Sequence, residues 1–446
     1  MRRIEGEAPV YRDELVMFCY NDIAAQVRGK GFPVKDLESR IAKGIGWTPT
    51  NIMISAFGPI ANSPFGSFGD LILMPDPETK VRVDFGDGSP PEHFYLCDVV
   101  NTDCTPWECC PRTFLKRAFE SLVKETGLRL VAALEQEFVY SGAEANVSSA
   151  YNLSSVRRHG EFGAAFLHAL RLAGVDVDSY LPEFGLRQYE VTYRPASAVR
   201  AADCALIVRE IARATAHRLG HKASFAPIVT TDGIGNGVHI HMSLWDGEGR
   251  PATYDEGAPF GLSAIAGQFV AGILHHMPAL CAITAPSMLS YLRLTPHRWS
   301  ASYSNLGYRD REAGMRIAPV FETPGAEAAE QYNLEYRAAD AAANPYLALA
   351  VLVHAGLDGI RQRLPTPEPT QFDPTTVPPE DLRSRGIVRL PQSLSEALDA
   401  MEANATVCSW FPPSLFEAYL RYKRWEIELL GKLTPEEQCL RYVEVY

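Results

Sequence analysis

The stretch VAALEQEFVY, residues 131–140, decides how the chain is read. It is an apolar run of strand character in which Glu135 and Glu137 are separated by one residue. Strand side chains alternate faces, so the two carboxylates point the same way. Like charges embedded among apolar residues repel and need compensation, from a bound cation or from paired arginines. Taken alone, the plainer reading is the stronger one: a strand edge with two solvated acids.

Other segments build on it. In TDGIGNGVHIHMSLW (231–245), glycines at 233, 235 and 237 precede a strand on which His239 and His241 share a face. Glycines there let the backbone turn tightly or come close to a ligand. LPEFGLRQYEVTYRP (181–195) brings Glu183 beside a turn and Glu190 at the start of a strand. QYNLEYRAAD (331–340) sets Glu335 and Arg337 on one strand face, which by itself is also an ordinary ion pair. Arg293 in SYLRLTP is followed by Arg309, Arg311 and Arg316 in YRDREAGMRI. Arginine grips carboxylate or phosphate through two parallel hydrogen bonds. Several carboxylates and an imidazole facing arginines suit Mg²⁺ or Mn²⁺ and point to metal-dependent phosphoryl transfer.

Outward from these segments, the 446 residues allow two or three domains. Residues 50–100 read as short strands and turns, and CTPWECCPR (104–112) breaks the pattern, so a boundary is set there: an N-terminal domain over 1–108 and a catalytic domain over 109–446. TFLKRAFESLVKETG is an amphipathic helix with Phe114, Phe119, Leu122 and Val123 on one side, ending at Gly127. Helices are also expected after Gly160, over 196–219, and from Asn344-Pro345, a cap with proline at the first helical position. Strand-like runs recur at 223–228, 237–244 and 332–338. Ser393 with Glu396 and Ser414 with Glu417 fit the capping box of two closing helices, and 362–390 is a proline-rich loop or lid.

A net charge of −12 excludes a general nucleic-acid binder. No membrane span is expected: the most apolar helix, near Ile273, is broken by His275 and His276. The opening residues lack the apolar core of a secretory leader, and nine cysteines without framework spacing favour reduced thiols, so a cytoplasmic location is expected.

The order EQEF, Glu183…Glu190, GNGVHIHMSL, SYLRL, RDREAGMRI and NLEYRAADAAANPYLALA resembles glutamine synthetase across most of the chain. The resemblance implies an α+β fold: a small β-grasp-like N-terminal domain, then a large catalytic domain with a curved antiparallel sheet flanked by helices. It implies that Glu137, Glu183 and Glu190 hold one divalent ion and that Glu135, His239 and Glu335 hold a second. Gly235, Arg293 and Arg337 match glutamate-binding positions, and Arg337 also faces the activated carboxylate. Arg311 matches the arginine that stabilises the transferring phosphoryl group, while His241, Ser243 and Arg316 match the nucleotide side. The implied reaction is phosphorylation of glutamate's γ-carboxylate by ATP, followed by attack of an amine on γ-glutamyl phosphate. The implied assembly is a homo-oligomer, a dodecamer of two stacked hexameric rings, with each active site completed by a neighbour's N-terminal domain.

The chain departs from the ammonium-using pattern. No Asp-Gly-Ser-Ser segment occurs; the corresponding region is WTPTNIMISAFGPIANSPFG. Trp299 stands where those members carry a flap glutamate, six residues after Arg293. A tryptophan offers an apolar face with cation–π capacity in place of a charge that attracts ammonium. The expected second substrate is therefore a small organic amine, in a pocket lined by Trp299, His297 and Phe65 or Phe57; the alternative leaves the flap's role to Asp310 or Glu312 and the substrate as ammonium. Ile234 replaces an asparagine beside the glutamate site, the lysine of the usual MPKP segment is missing from SFAPIVT, and the Asn-Leu-Tyr segment modified in adenylylated members is absent. A non-catalytic relative would have lost ligands, yet all six acid and histidine positions are filled.

Overall fold

The computed structural model describes residues 13–144 and 150–446; the opening segment read for a leader lies, up to residue 12, outside them. Among the described residues the N-terminal sheet has six strands: β1 (Leu15–Asn21), β2 (Val27–Pro33), β3 (Ile45–Trp47), β4 (Leu71–Pro75), β5 (Val81–Val83) and β6 (Glu92–Asn101). Their order is β2-β1-β6-β4-β3, with β5 on β6, and only β1 and β6 run parallel. The turn between β4 and β5 is capped by Asp76, whose carboxylate accepts from the Glu78 amide.

The second sheet has nine strands: β7 (Arg129–Tyr140), β8 (Val177–Pro182), β9 (Gln188–Tyr193), β10 (Ala196–Ser197), β11 (Ala223–Ser224), β12 (Val238–Trp245), β13 (Leu306–Tyr308), β14 (Met315–Ile317) and β15 (Leu334–Ala339). The order is β13-β14-β15-β12-β7-β9-β8, with β10 and β11 also on β7. The fold is α+β, but the expected antiparallel sheet is mixed, because β13 and β14 pair in parallel at one edge. The run 223–228 yields only a two-residue strand: the Phe225 amide donates to the Tyr446 carbonyl instead, and Pro227 has no amide to give a ladder.

Helices Ala198–Arg218 and Ala264–Thr284 pack on this sheet, and Pro345–Gln362 packs on both of them. Asn344 caps the last, accepting from the Tyr346 and Leu347 amides. Helix Ala264–Thr284 is not broken at His275 and His276; His276 is buried, bonded to Asp358 at 2.8 Å and to Asn404 at 3.0 Å. It is long and apolar enough to cross a bilayer, but 72% of its apolar window is buried inside the protein, as in a core helix. Helix Pro111–Thr126 ends at Gly127 in the left-handed region (φ 72°) as expected. Its buried stripe is Phe114, Leu115, Ala118 and Leu122, which leaves Val123 exposed. The capping box expected at Ser414 does not form: the helix begins at Pro413, and the Ser414 hydroxyl donates to Glu108. Thr434 and Glu437 make a reciprocal box instead, while Ser393 caps its helix with Glu396 reaching back to the Gln392 amide.

One buried cation joins the two sheets' surroundings. The Arg112 guanidinium donates twice to Asp203 (3.0 and 2.9 Å), once to Asp76 (2.8 Å) and to Asp98 (3.3 Å). Asp203 also accepts from the Tyr346 hydroxyl at 2.6 Å, and the Asn344 amide nitrogen donates to the carbonyls of Asn21 and Asp22.

Candidate active site

Register sets the site. His239 on β12 lies opposite Glu135 on β7, Glu137 opposite Glu190 on β9, and both His241 and Arg316 opposite Glu335 on β15. Acids, imidazoles and a guanidinium thus occupy neighbouring rungs, and the period of two puts the sequence-paired ones on one face.

The contacts are close. Glu135 reaches His239 Nδ1 and His241 Nε2, each at 3.0 Å, and His239 lies 3.8 Å from Glu335. Glu335, 1% exposed, is paired with Arg316 at 2.9 Å and with Arg337. Glu137 accepts from the Gly237 amide (2.8 Å) and from Gln188 Nε2 (3.1 Å). Glu183 accepts from the Tyr151 hydroxyl (3.0 Å) and the Phe184 amide (2.9 Å).

Two triplets bring one ligand atom each to within 4.8 Å: Glu135, Glu190 and His239, and Glu135, His241 and Glu335. This differs from the expected partition. Glu135 is common to both groups, and His241 stands among the donors as well as beside Asn333 (2.8 Å). Glu137 and Glu183 are in neither triplet; their oxygens accept from backbone amides and from Gln188 or Tyr151.

The electrostatics identify what this donor set needs. Burial, with the charge of Glu183 added, pushes the Glu137 carboxyl up to about 8. Burial and the charges of Glu135, Glu137 and Glu183 push Glu190 well above the carboxylate range. Burial and the nearby Arg337 bring His239 down to about 4, which leaves it a neutral imidazole, the form that ligates metal. Burial opposes ionisation of Glu135 and Glu335 too, but His241 and His239 hold the first low, and Arg337 and His241 the second. Burial would also lower His241, yet Glu135 raises it to about 9. Carboxyls made hard to ionise by one another, beside a neutral imidazole, fit a divalent cation as the missing countercharge.

Glycines bring an arginine into this space. A Cβ on Gly235 would meet the Arg293 side chain at 2.3 and 2.6 Å, and one on Gly237 would come within 3.1 Å of His239 and 3.3 Å of Arg293. Arg293 is 4% exposed and donates to the Ala339 carbonyl at 2.6 Å. Gly235→Ala is therefore expected to displace Arg293 and raise the KM for glutamate about tenfold or more with a smaller change in the KM for ATP, measured by steady-state phosphate release. Equal KM values in the variant and the parent would separate Arg293 from the acid substrate.

The remaining expected residues are spread around this centre. Arg311 is exposed, near enough to Arg316 to lower its affinity for a proton after burial and Glu335 are counted. Ser243 accepts from the Trp245 indole at 2.8 Å. Trp299 is 63% exposed, and its carbonyl accepts from Arg337 at 3.1 Å, so the flap touches the strand that carries Glu335. Within one chain Phe65 packs on Trp107 and Phe57 on Tyr442, so neither is brought to the Trp299 flap by these contacts. Sequence reasoning missed Gln188, whose amide nitrogen joins Glu137, the Gly235 carbonyl and Asn236. Its place two residues before Glu190, on the same strand face, was the available signal.

The family model for the glutamine synthetase catalytic domain matches residues 108–442, and that for the glutamine synthetase N-terminal domain matches residues 1–107. The chain is 35% identical to the gamma-glutamylpolyamine synthetase of Streptomyces coelicolor, over 92% of this chain and 89% of that one. It is 32% identical to the glutamine synthetase of Thermococcus kodakarensis, over 91% and 87%. A crystal structure described as a novel glutamine synthase homolog superposes with a TM-score of 0.90 at 40% identity, covering all of both chains.

Proposed function

We propose that this chain, which belongs to the glutamine synthetase family and is an ATP-dependent ligase of that type, joins L-glutamate through its γ-carboxylate to a small organic amine. The observation that carries the amine reading is Trp299, an exposed indole on a flap whose carbonyl is tied to Arg337. The likeness to a relative named for making γ-glutamylpolyamines supports it, and the likeness to a relative named glutamine synthetase keeps ammonium as the second reading. Of the two acids that would serve ammonium in that reading, Glu312 has both oxygens engaged by the amides of His297 and Trp299, and Asp310 accepts from the Glu312 amide.

In this reading Glu135, Glu137, Glu183, Glu190, His239 and Glu335 hold two or more Mg²⁺ or Mn²⁺ ions. Bound there, the ions supply the positive charge that a transferring phosphoryl group requires. Arg293, Arg337 and the backbone at Gly235 orient glutamate so that its γ-carboxylate oxygen attacks the γ-phosphorus of ATP, with ADP leaving. Arg316 and Arg311 balance charge on the phosphates, with His241 and Ser243 on the nucleotide side. The amine nitrogen then attacks the acyl carbon, loses a proton, and inorganic phosphate departs. Activation is needed because a free carboxylate is a poor acceptor for an amine.

We further infer a cytoplasmic homo-oligomer, a dodecamer of two stacked hexameric rings with sites shared between neighbours; Phe65 would then reach the amine pocket of an adjacent subunit. The domain division at 108/109 is proposed with it.

Purified enzyme with ATP, Mg²⁺ and glutamate, assayed for phosphate release with ammonium, methylamine, isopropylamine, ethanolamine, putrescine and aniline, tests the reading. An organic amine is expected to exceed ammonium in kcat/KM, with the product confirmed by mass. Trp299→Glu should raise ammonium use and weaken use of the organic amine. A clear preference for ammonium in the parent enzyme, with no further gain in the variant, would leave a divergent glutamine synthetase.

A further inference from the structure

The flap around Trp299 carries two residues other than glycine in the left-handed backbone region: His297 at φ 62° and Trp299 at φ 53°. Side chains with a Cβ visit this region at a cost, so two such residues in three persist only where the surroundings hold them. Here the holder is a single carboxylate. Glu312 accepts from the His297 amide at 3.1 Å with one oxygen and from the Trp299 amide at 3.2 Å with the other. The Asp310 side chain accepts from the Glu312 amide at 2.9 Å and so fixes the segment that supplies the clamp. On the far side, Arg337 holds the Trp299 carbonyl at 3.1 Å, and Ser300 donates to the Arg293 carbonyl at 2.6 Å. The indole itself is 63% exposed, so its position comes from the backbone under it and not from packing.

We propose that Glu312 is a positioning residue that determines amine specificity: by clamping the two left-handed amides it stands the Trp299 face over the amine entrance. The inference rests on the organic-amine reading of Trp299. Two amides accepted by one side chain make a joint that either forms whole or opens whole. With the clamp gone, the strained residues relax toward ordinary φ and the indole leaves its place. An organic amine then loses the apolar face that discriminates it, while ammonium, too small to use that face, loses little.

Two measurements on the intact enzyme test this. Hydrogen exchange of a peptide spanning 296–300 reads the clamp without any amine: Glu312→Ala should speed exchange of the His297 and Trp299 amides about tenfold or more. Glu312→Gln, which keeps one acceptor oxygen, should be intermediate. Kinetics read the specificity: in Glu312→Ala the ratio of kcat/KM for the preferred organic amine to that for ammonium should fall about tenfold, mainly through the KM for the amine, with the KM for ATP within about twofold of the parent value. Partial recovery of that ratio in Glu312→Gln belongs to the proposal. Unchanged exchange in Glu312→Ala overturns the clamp. Faster exchange with an unchanged ratio and unchanged amine KM overturns the specificity role, leaving Glu312 a structural residue only. Failure of the amine reading itself is seen separately, in the parent enzyme, as a preference for ammonium.

Discussion

Glutamine in place of Glu335 is expected to lower kcat about 10²–10³-fold, with folding retained, in an assay of glutamate- and ATP-dependent phosphate release. Glu335 is where the chain's charges meet: Arg316 and Arg337 pair with it, His239 lies 3.8 Å away, and it stands within ligand reach of Glu135 and His241. Glutamine keeps the shape but removes the charge, so two buried guanidiniums face a neutral amide and a donor to the cation is lost. Alanine removes the shape as well and should destabilise the protein by about 3–5 kcal/mol, because the arginines are left buried without a counter-ion. A glutamine variant with near-parental kcat and a lowered Tm would make Glu335 a strut for the arginines and nothing more.

The second large effect is a coupling between cation, proton and fold. Burial and neighbouring acids hold Glu137 at about 8 and Glu190 well above the carboxylate range. The sign follows from which state keeps the proton. Between the unfolded carboxyl value near 4.5 and about 8, the folded chain binds a proton at Glu137 that the unfolded chain has released. Cation-free stability therefore falls as pH rises through that window, and the penalty is complete above about 8. A divalent cation reverses this by favouring the ionised carboxylates, and it displaces protons when it binds. The rise in Tm on adding Mn²⁺ to chelator-treated protein should thus be several degrees larger at pH 8.5 than at pH 6, with protons released into a weakly buffered solution. An equal rise at both pH values, with no proton release, would contradict the assignment of these acids to a cation.

Which of these features could be read beforehand follows from their range along the chain. Glu135 with Glu137, His239 with His241 and Glu335 with Arg337 are each two apart in sequence, so a strand's own period puts each pair on one face. The cap at Asn344 and the stop at Gly127 are equally local. What escaped depends on register or on tertiary competition. That Glu135 serves two donor groups follows from β12 lying between β7 and β15, which no segment alone specifies. Ser414 fits a capping pattern, but Pro413 started the helix first and left its hydroxyl for Glu108. His275 and His276 read as a break because both are polar, yet Asp358 and Asn404, far along the chain, satisfy His276 inside the core. Glu312 drew notice as an acid near the flap, but its grip on two amides is a matter of loop geometry.

The Arg112 junction bears on how fast the enzyme admits its substrates. A guanidinium shared by Asp203, Asp76 and Asp98, with Tyr346 and Asn344 bonded alongside, ties the N-terminal sheet to the helices behind the catalytic sheet. Opening that joint would take Asp76 and Asp98 from the Arg112 guanidinium, leaving it to Asp203 alone, and would break the Asn344 bonds to the Asn21 and Asp22 carbonyls, a cost to be met in every turnover. Movement at the site is then expected first in segments the size of the Trp299 flap, whose motions belong to loops and run faster than the swing of a domain.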